Sequence, residues 1–300
     1  MAFIDGKAIA AEIKARLAVQ MAALPAGQGV GLATLLIGDD YGAAQYRGQI
    51  ERLATSMGFG YTDVRLPPAA TLAEIHAALD RLAADPAVHG ILPLRPFPKG
   101  VGDEAVIDRL PPLKDIDGFH PDNLGRLLLD APRLIPSTAR ACLVALDATH
   151  IDLQGKEVVV VGRSATVGKP VALLCLARHA TVTLLHSRTL DLAFHTRRAD
   201  VVIVAIGRPR FLTAEMIRDG AVVIDVGINW EESEGVDGQK QGRLVGDADT
   251  EAVAARAAWI TPVPGGIGAI TNACLLENTL TALALQGGDR ESSVRARLGR

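Results

Sequence analysis

Glu157-Val158-Val159-Val160-Val161-Gly162-Arg163-Ser164-Ala165-Thr166-Val167-Gly168-Lys169-Pro170 runs from a β-branched apolar stretch through two glycines into a second apolar segment, Val171 to Ala177. The valines read as a strand, because β-branched side chains suit a pleated surface buried on both faces. The glycine-bearing residues after them read as a tight turn opening a helix. In such a unit Gly162 permits the turn and Gly168 lets backbone approach a ligand. The helix N-terminus offers unpaired N–H groups and a positive dipole end to a phosphate. The spacing is not Gly-x-Gly-x-x-Gly, and a glycine pair in a strand-to-helix turn also serves purely structural ends. The stretch therefore decides the fold before it decides a ligand.

Working outward, Thr181-Leu185, Val201-Ala205 and Ala221-Val226 repeat the strand pattern at the spacing of a Rossmann-like sheet, which begins near Thr138. Upstream, Gly31-Ile37, Tyr61-Leu66 and Val88-Leu94 read as strands, the last closed by Pro96 and Pro98. Between them the pattern predicts helices over about Ala43 to Met57, stopped by Gly58 and Gly60, and over Leu72 to Ala84, opened by Thr71. Pro111 to Pro136 is irregular, a length of loop that often carries function. A last helix, about Asn272 to Gln286, follows Pro264-Gly265-Gly266 and is expected to return to the first unit. Glu231 to Gly242 reads as an exposed hairpin tip, and Gly287 to Arg300 as a mobile tail. The expectation is an α/β chain of two domains, 1–139 with 265–300 and 140–264, the second Rossmann-like.

Composition narrows the function classes. The 300 residues hold 31 Lys+Arg against 34 Asp+Glu, a net charge of −3, which leaves no basic excess to neutralise nucleic acid or an anionic membrane. Small molecules become the expected partners. Cys142, Cys175 and Cys274 lie far apart and form neither a CxxC pair nor a metal-ligand cluster, which suits a reducing compartment. No apolar run is long enough for a membrane span, and Asp5 and Lys7 interrupt the start where a secretory core would lie. A cytoplasmic protein is expected.

The end of the second Rossmann strand reads His186-Ser187-Arg188-Thr189, with no acidic residue for a ribose hydroxyl. Arg163, Ser187 and Arg188 suit a 2′-phosphate instead, so NADP is expected rather than NAD. Ser164 and Val167 belong to the same glycine turn, and Ala205, Gly207, Gly227 and Ile228 sit at two further strand ends where backbone can meet the dinucleotide. Ligand-free surface arginines and plain tight turns are the competing reading.

Five segments in order carry a resemblance that spans nearly the whole chain. They are Gly90-Ile91-Leu92 with Pro96-Phe97-Pro98, Lys114 through Pro121, Val161-Gly162-Arg163-Ser164 with Val167 through Pro170, Asp225 through Asn229, and Thr261 through Gly268. The chain resembles the methylenetetrahydrofolate dehydrogenase/methenyltetrahydrofolate cyclohydrolase family, the bifunctional FolD type. The resemblance implies a folate-binding domain built from the N-terminal part plus the last helix, an NADP-binding Rossmann domain between them, a cleft along their junction, and a homodimer. It implies that Tyr46 packs against the folate, that Asp117 holds the pterin, and that Pro264, Gly265, Gly266 and Ile267 border the substrate. Arg163 and Ser187 would hold NADP.

The chain departs from that family where proton chemistry is done. The family helix carries a lysine four residues after the tyrosine, on the same helical face; here Tyr46 is followed at that spacing by Ile50. The glutamine of the Gly-Ile-Leu-x-Gln-x-Pro strand end aligns with Leu94. Ala43, Ala139 and Ala269-Ile270 are smaller departures, so the folate side has drifted more than the NADP side. Hydride transfer from the methylene carbon moves no proton and needs chiefly positioning, whereas hydrolysis of the methenyl cation needs a titratable group to handle water and a ring nitrogen. Ile50 and Leu94 can neither donate nor accept, so cyclohydrolase activity is expected weak or lost. Tyr46, Gln49, Asp117 and Arg95 are the polar residues left to substitute in a fully bifunctional enzyme. A related dehydrogenase with a changed substrate and a non-catalytic paralogue are the other readings, the latter disfavoured by the intact Gly162, Arg163, Ser187 and Gly265-Gly266.

Overall fold

In chain order the elements of the computed structural model are β1 (Ala2–Phe3), α1 (Gly6–Ala22), β2 (Gly31–Ile37), α2 (Tyr41–Ser56), β3 (Gly60–Leu66), α3 (Leu72–Ala84), β4 (Gly90–Leu94), α4 (Asp103–Ile107) and α5 (Pro121–Leu128). Next come α6 (Ser137–Asp147), β5 (Glu157–Val161), α7 (Gly168–Leu176), β6 (Thr181–Leu185), α8 (Leu192–Thr196), β7 (Val201–Val204) and β8 (Val222–Asp225). The hairpin β9 (Asn229–Glu234) and β10 (Lys240–Val245) precedes α9 (Thr250–Ala254), β11 (Trp259–Ile260) and α10 (Ile267–Gln286). The structure describes residues 2–234 and 240–288; of the hairpin expected over 231–242 the antiparallel flanks are described and 235–239 are not, and of the tail expected over 287–300 residues 289–300 lie outside the described residues. Two units emerge, one of residues 2–12 and 138–271, the other of 13–137 and 272–288.

In the first unit a parallel sheet runs in the order β1-β11-β8-β7-β5-β6. Its central strands β5, β7 and β8 are almost wholly apolar and buried on both faces, as helix-covered parallel strands must be, whereas β6 at the edge is only partly buried. Val159, Val161, Val202, Val204 and Val223 form the core against Val253 and Ala254 of α9. From β5 the chain crosses to β6 on one side and then returns to β7 on the other. The carboxyl ends of β5 and β7 therefore flank a topological switch point, where ligands of such sheets bind. Residues 2–3 pair with Trp259–Ile260 and so complete this sheet. Two-residue strands carry no readable alternation, so neither β1 nor β11 shows in the sequence pattern.

The second unit carries a three-stranded parallel sheet, β3-β2-β4, with β2 in the middle and buried along its whole length. Ala33, Leu35 and Ile37 pack against Ile75, Leu79 and Leu82 of α3, whose first turn is closed by a reciprocal Thr71–Glu74 capping box. The segment 111–136, expected to be irregular, contains α5. Pro121 opens it, and the His120 ring nitrogen Nδ1 accepts from the Asp122 N–H, giving a helix start that the prolines mask. Helix α10 begins at Ile267, five residues before the expected Asn272, because it springs directly from the Gly265-Gly266 turn. Among the described residues no helix is long and apolar enough to cross a membrane.

Candidate active site

In the second unit, Tyr46 and Ile50 lie four residues apart on α2, whose start is capped by Asp40 accepting from the Ala43 N–H. Ile50 is fully buried, and so is Leu94 at the end of β4. Neither presents a polar atom. Gln49 is solvent-exposed on the same helix.

Asp117 stands in the loop after β4. Capping of the Gly118 turn, a competing role for this residue, falls instead to Asp115. The Asp115 carboxylate accepts from the N–H groups of Gly118 and His120 and from Asn123 Nδ2. Asp117 is thereby left for other work: its Oδ1 accepts from the Ser137 hydroxyl at 2.6 Å, and its Oδ2 lies 3.9 Å from Arg95 Nη1. The backbone on both sides of this pair is pinned by α10, where Asn278 Nδ2 donates to the carbonyls of Ile116 and Ile135 at 2.8 Å each. Burial, and after it the neighbouring Asp115 charge, pushes the Asp117 carboxyl up to about 6 against the lowering effect of Ser137 and Arg95. Burial and the Asp117 charge push the Tyr46 phenol upward, so it stays protonated at neutral pH. The result is one hydrogen-bond acceptor with a tunable charge, one neutral phenol, and two aliphatic positions.

In the first unit the turn after β5 differs in detail from expectation. Gly162 has φ +127°, and a Cβ there would meet the Ala205 carbonyl at 2.3 Å, so glycine is required. The expected open flank of Gly168 is filled by the Gly162 carbonyl, 2.1 Å from where a Cβ would lie. That glycine serves close packing of α7 on β5 rather than ligand approach. Nor are the N–H groups of the first helical turn open. Ser164 Oγ accepts from Val167 and Gly168, Ser164 O accepts from Lys169, and Pro170 has no N–H. This capping also starts α7 three residues before the expected Val171. Among the described residues the N–H groups of Ser164, Ala165 and Thr166 make no internal hydrogen bond, so the open donors lie in the loop ahead of the helix.

The donor set fits the 2′-phosphate of a dinucleotide. Arg163, Ser187 and Arg188 are exposed, and among the described residues neither guanidinium has an acidic partner. No carboxylate follows β6, and the turn there closes on itself through the His186 N–H to Thr189 and the Arg188 N–H to the His186 ring. Around the switch point, the Asp247 carboxylate gathers the N–H groups of Ile206, Gly207 and Arg208 and the side-chain amide of Asn229. Gly227 is small for the same reason: a Cβ there would lie 2.3 Å from the Asp247 carboxylate. Ile228, next in the chain, is 64% exposed. Ala205 and Gly207 occupy the facing turn, with Gly207 at φ +64°. Asp247 has no signature of its own in the sequence, because its partners are distant along the chain.

Pro264, Gly265, Gly266 and Ile267 belong to the first unit, where Gly266 packs on the Pro262 carbonyl and Gly6 on the Gly266 carbonyl. A cavity of about 560 Å³ opens beside Pro264 and Gly265, bounded also by Phe3, Lys7, Arg210 and Leu244. It includes neither the 162–168 turn nor Ser187 and Arg188.

Comparison with known proteins divides the chain near residues 117–136, although residues 4–12 and 272–287 belong to the opposite units in the structure. Residues 4–117 match the family described as tetrahydrofolate dehydrogenase/cyclohydrolase, catalytic domain, and residues 136–287 match its NAD(P)-binding domain. The chain is similar to the bifunctional protein FolD of Moorella thermoacetica, with 47% identity over 93% of this chain and 97% of that one. Similarity to FolD of Acidiphilium cryptum is also 47%, over 94% and 97%. Among solved structures it resembles the methylenetetrahydrofolate dehydrogenase-cyclohydrolase of Trypanosoma brucei, complexed with NADP cofactor and inhibitor. There the TM-score is 0.90 and the identity 36%, over 97% of this chain and 99% of the other. The Campylobacter jejuni FolD structure gives a TM-score of 0.89 at 36% identity, over 95% and 99%.

Proposed function

The chain belongs to the tetrahydrofolate dehydrogenase/cyclohydrolase family, and from that premise we propose that it oxidises 5,10-methylenetetrahydrofolate to the 5,10-methenyl cation with NADP and hydrolyses that cation weakly or not at all. The observation that carries the second half is the pair Ile50 and Leu94, both buried and aliphatic, at the positions where the family resemblance calls for lysine and glutamine.

Bound NADP supplies the hydride acceptor. Arg163, Ser187 and Arg188 would hold its 2′-phosphate, and the N–H groups of 164–166 would donate to its other phosphates. On the folate side, Asp117 accepts hydrogen bonds from the pterin and Tyr46 covers it, so both reactants are held without a proton having to move. Hydrolysis needs a group that takes a proton from water and returns one to nitrogen, help typically worth about two to four powers of ten. Ile50 and Leu94 give none. A phenol held protonated is a poor base at neutral pH, and a guanidinium stays protonated and so cannot act as the base. The family resemblance supports a homodimer, which sedimentation of the purified chain checks.

One preparation tests the reading. NADP reduction with methylenetetrahydrofolate should be robust, while methenyltetrahydrofolate should disappear at close to its uncatalysed rate. The double variant Ile50→Lys/Leu94→Gln should raise the second rate by about a hundredfold or more. Fast hydrolysis by the unaltered enzyme would refute the proposed split.

A further inference from the structure

Arg95 follows β4 directly and is held on several sides. Its Nε donates to Asp103 Oδ2 at 2.9 Å, and its guanidinium lies over the Phe119 ring at 4.7 Å and the Phe97 ring at 5.5 Å. Two aromatic faces and one carboxylate fix a side chain that is otherwise long and mobile. The remaining edge, Nη1, faces Asp117 at 3.9 Å. We propose that Arg95 is a positioning residue that supplies the fixed positive charge facing Asp117, keeping it a carboxylate ready to accept from the substrate while being unable to pass a proton.

The proposal rests on the functional reading above and deepens it. Replacement of the family lysine by Ile50 removes two properties at once, a charge and an exchangeable proton. Arginine restores the first without the second, because its guanidinium does not deprotonate in proteins. That separation matches a site that must bind a folate and lose a hydride, with no proton to shuttle. It also spares the cationic product, since Asp103 and Asp117 together offset the guanidinium charge.

The groups that face Asp117 are few. Ser137 at the start of α6 donates to it and Arg95 faces it, and both favour the carboxylate; Asp115 in the same loop repels it; Tyr46 on α2 stands by as a neutral phenol. Removing Arg95 leaves the Ser137 hydroxyl alone against burial and Asp115. An opposite charge within about 4–6 Å lowers a carboxyl by about 1–3 units, and the partial exposure of this pair places the effect at the lower end.

The test uses the full chain with ¹³C-labelled aspartate, assigned through Asp117→Asn, and follows the Asp117 carboxyl by NMR. In parallel, kcat and KM for NADP reduction with methylenetetrahydrofolate are measured between pH 5 and 8.5. For Arg95→Leu the NMR titration and the acid limb of kcat/KM should both move up by about one unit, so that kcat/KM near pH 6 falls about fivefold, through KM, and barely changes at pH 8.5. Arg95→Lys should hold both close to their original places. Asp103→Asn, which loosens the clamp and keeps the arginine, should move both the same way by less, and it stands in if Arg95→Leu does not fold. An Asp117 titration indifferent to Arg95, or an equal loss at every pH in the Leu and Lys variants, would overturn the proposal. An unaltered enzyme that shows the NMR coupling but oxidises no methylenetetrahydrofolate at any pH would overturn the functional reading and, with it, the assignment of Arg95 to this substrate.

Discussion

Asp115 and Asp117 stand two residues apart and do opposite work. Asp115 spends its lone pairs on a turn and a helix start, while Asp117 accepts from the Ser137 hydroxyl and faces Arg95. Asp247 is a third case, a buried carboxylate that serves four donors from two strand-end turns. Asp247→Ala should therefore cost about 3 kcal/mol in urea unfolding, because buried donors are left unpaired, and should raise the KM for NADP by loosening the Ala205–Gly207 turn. The family pattern singles out Asp117, Arg163 and Ser187 as candidates in the sequence. Asp115 and Asp247 are not, since a carboxylate whose role is set by donors folded onto it carries no local mark.

The strands β2, β5 and β6 can be read to the residue, because apolar runs bounded by glycine or polar turns leave little choice of ends. Helix α3 is equally plain from Thr71 and the apolar spacing behind it. Thr71→Ala should remove about 1 kcal/mol of stability, read as a lower urea midpoint, with dehydrogenase kinetics unchanged. Elements defined by partners rather than by pattern escape such a reading. Strand β1 exists only because Trp259–Ile260 lies beside it, and α5 only because His120 turns its ring onto the next residue but one. The glycine turn is placed correctly by its sequence, but its donors are not: Ser164 takes the helical N–H groups, which shifts the free ones into the loop before α7.

For the molecule as a whole, burial of two carboxylates, Asp117 and the Asp225 carboxylate that accepts from the Gly227, Asp247 and Ala248 N–H groups, sets a pH dependence of stability. Asp117 and Asp225 are both pushed up to about 6 by burial, well above the ordinary carboxylate value. The folded state holds those protons more tightly than the unfolded chain does. The stability they contribute is therefore complete below about pH 4 and is lost as pH rises through about 6. Asp117→Asn should accordingly be more stable than the unaltered protein by about 2 kcal/mol at pH 7.5, and the difference should vanish near pH 4, as guanidinium titrations at the two pH values will show. The same substitution should depress dehydrogenase activity at every pH, the outcome expected if the carboxylate serves the proposed chemistry and not the fold.

Among the described residues β1 pairs with β11 alone, and the Ile116 and Ile135 carbonyls that flank Asp117 and Ser137 are held by Asn278 on α10. During synthesis this means that neither half can finish early. A nascent chain that has released its first 250 residues still lacks the edge of one sheet and the peg of the other. Both units wait on the stretch from Trp259 to Gln286 to leave the ribosome, so one sheet gains its edge and the other unit its Asn278 peg late. A ribosome stalled before that stretch would expose two incomplete units to proteases.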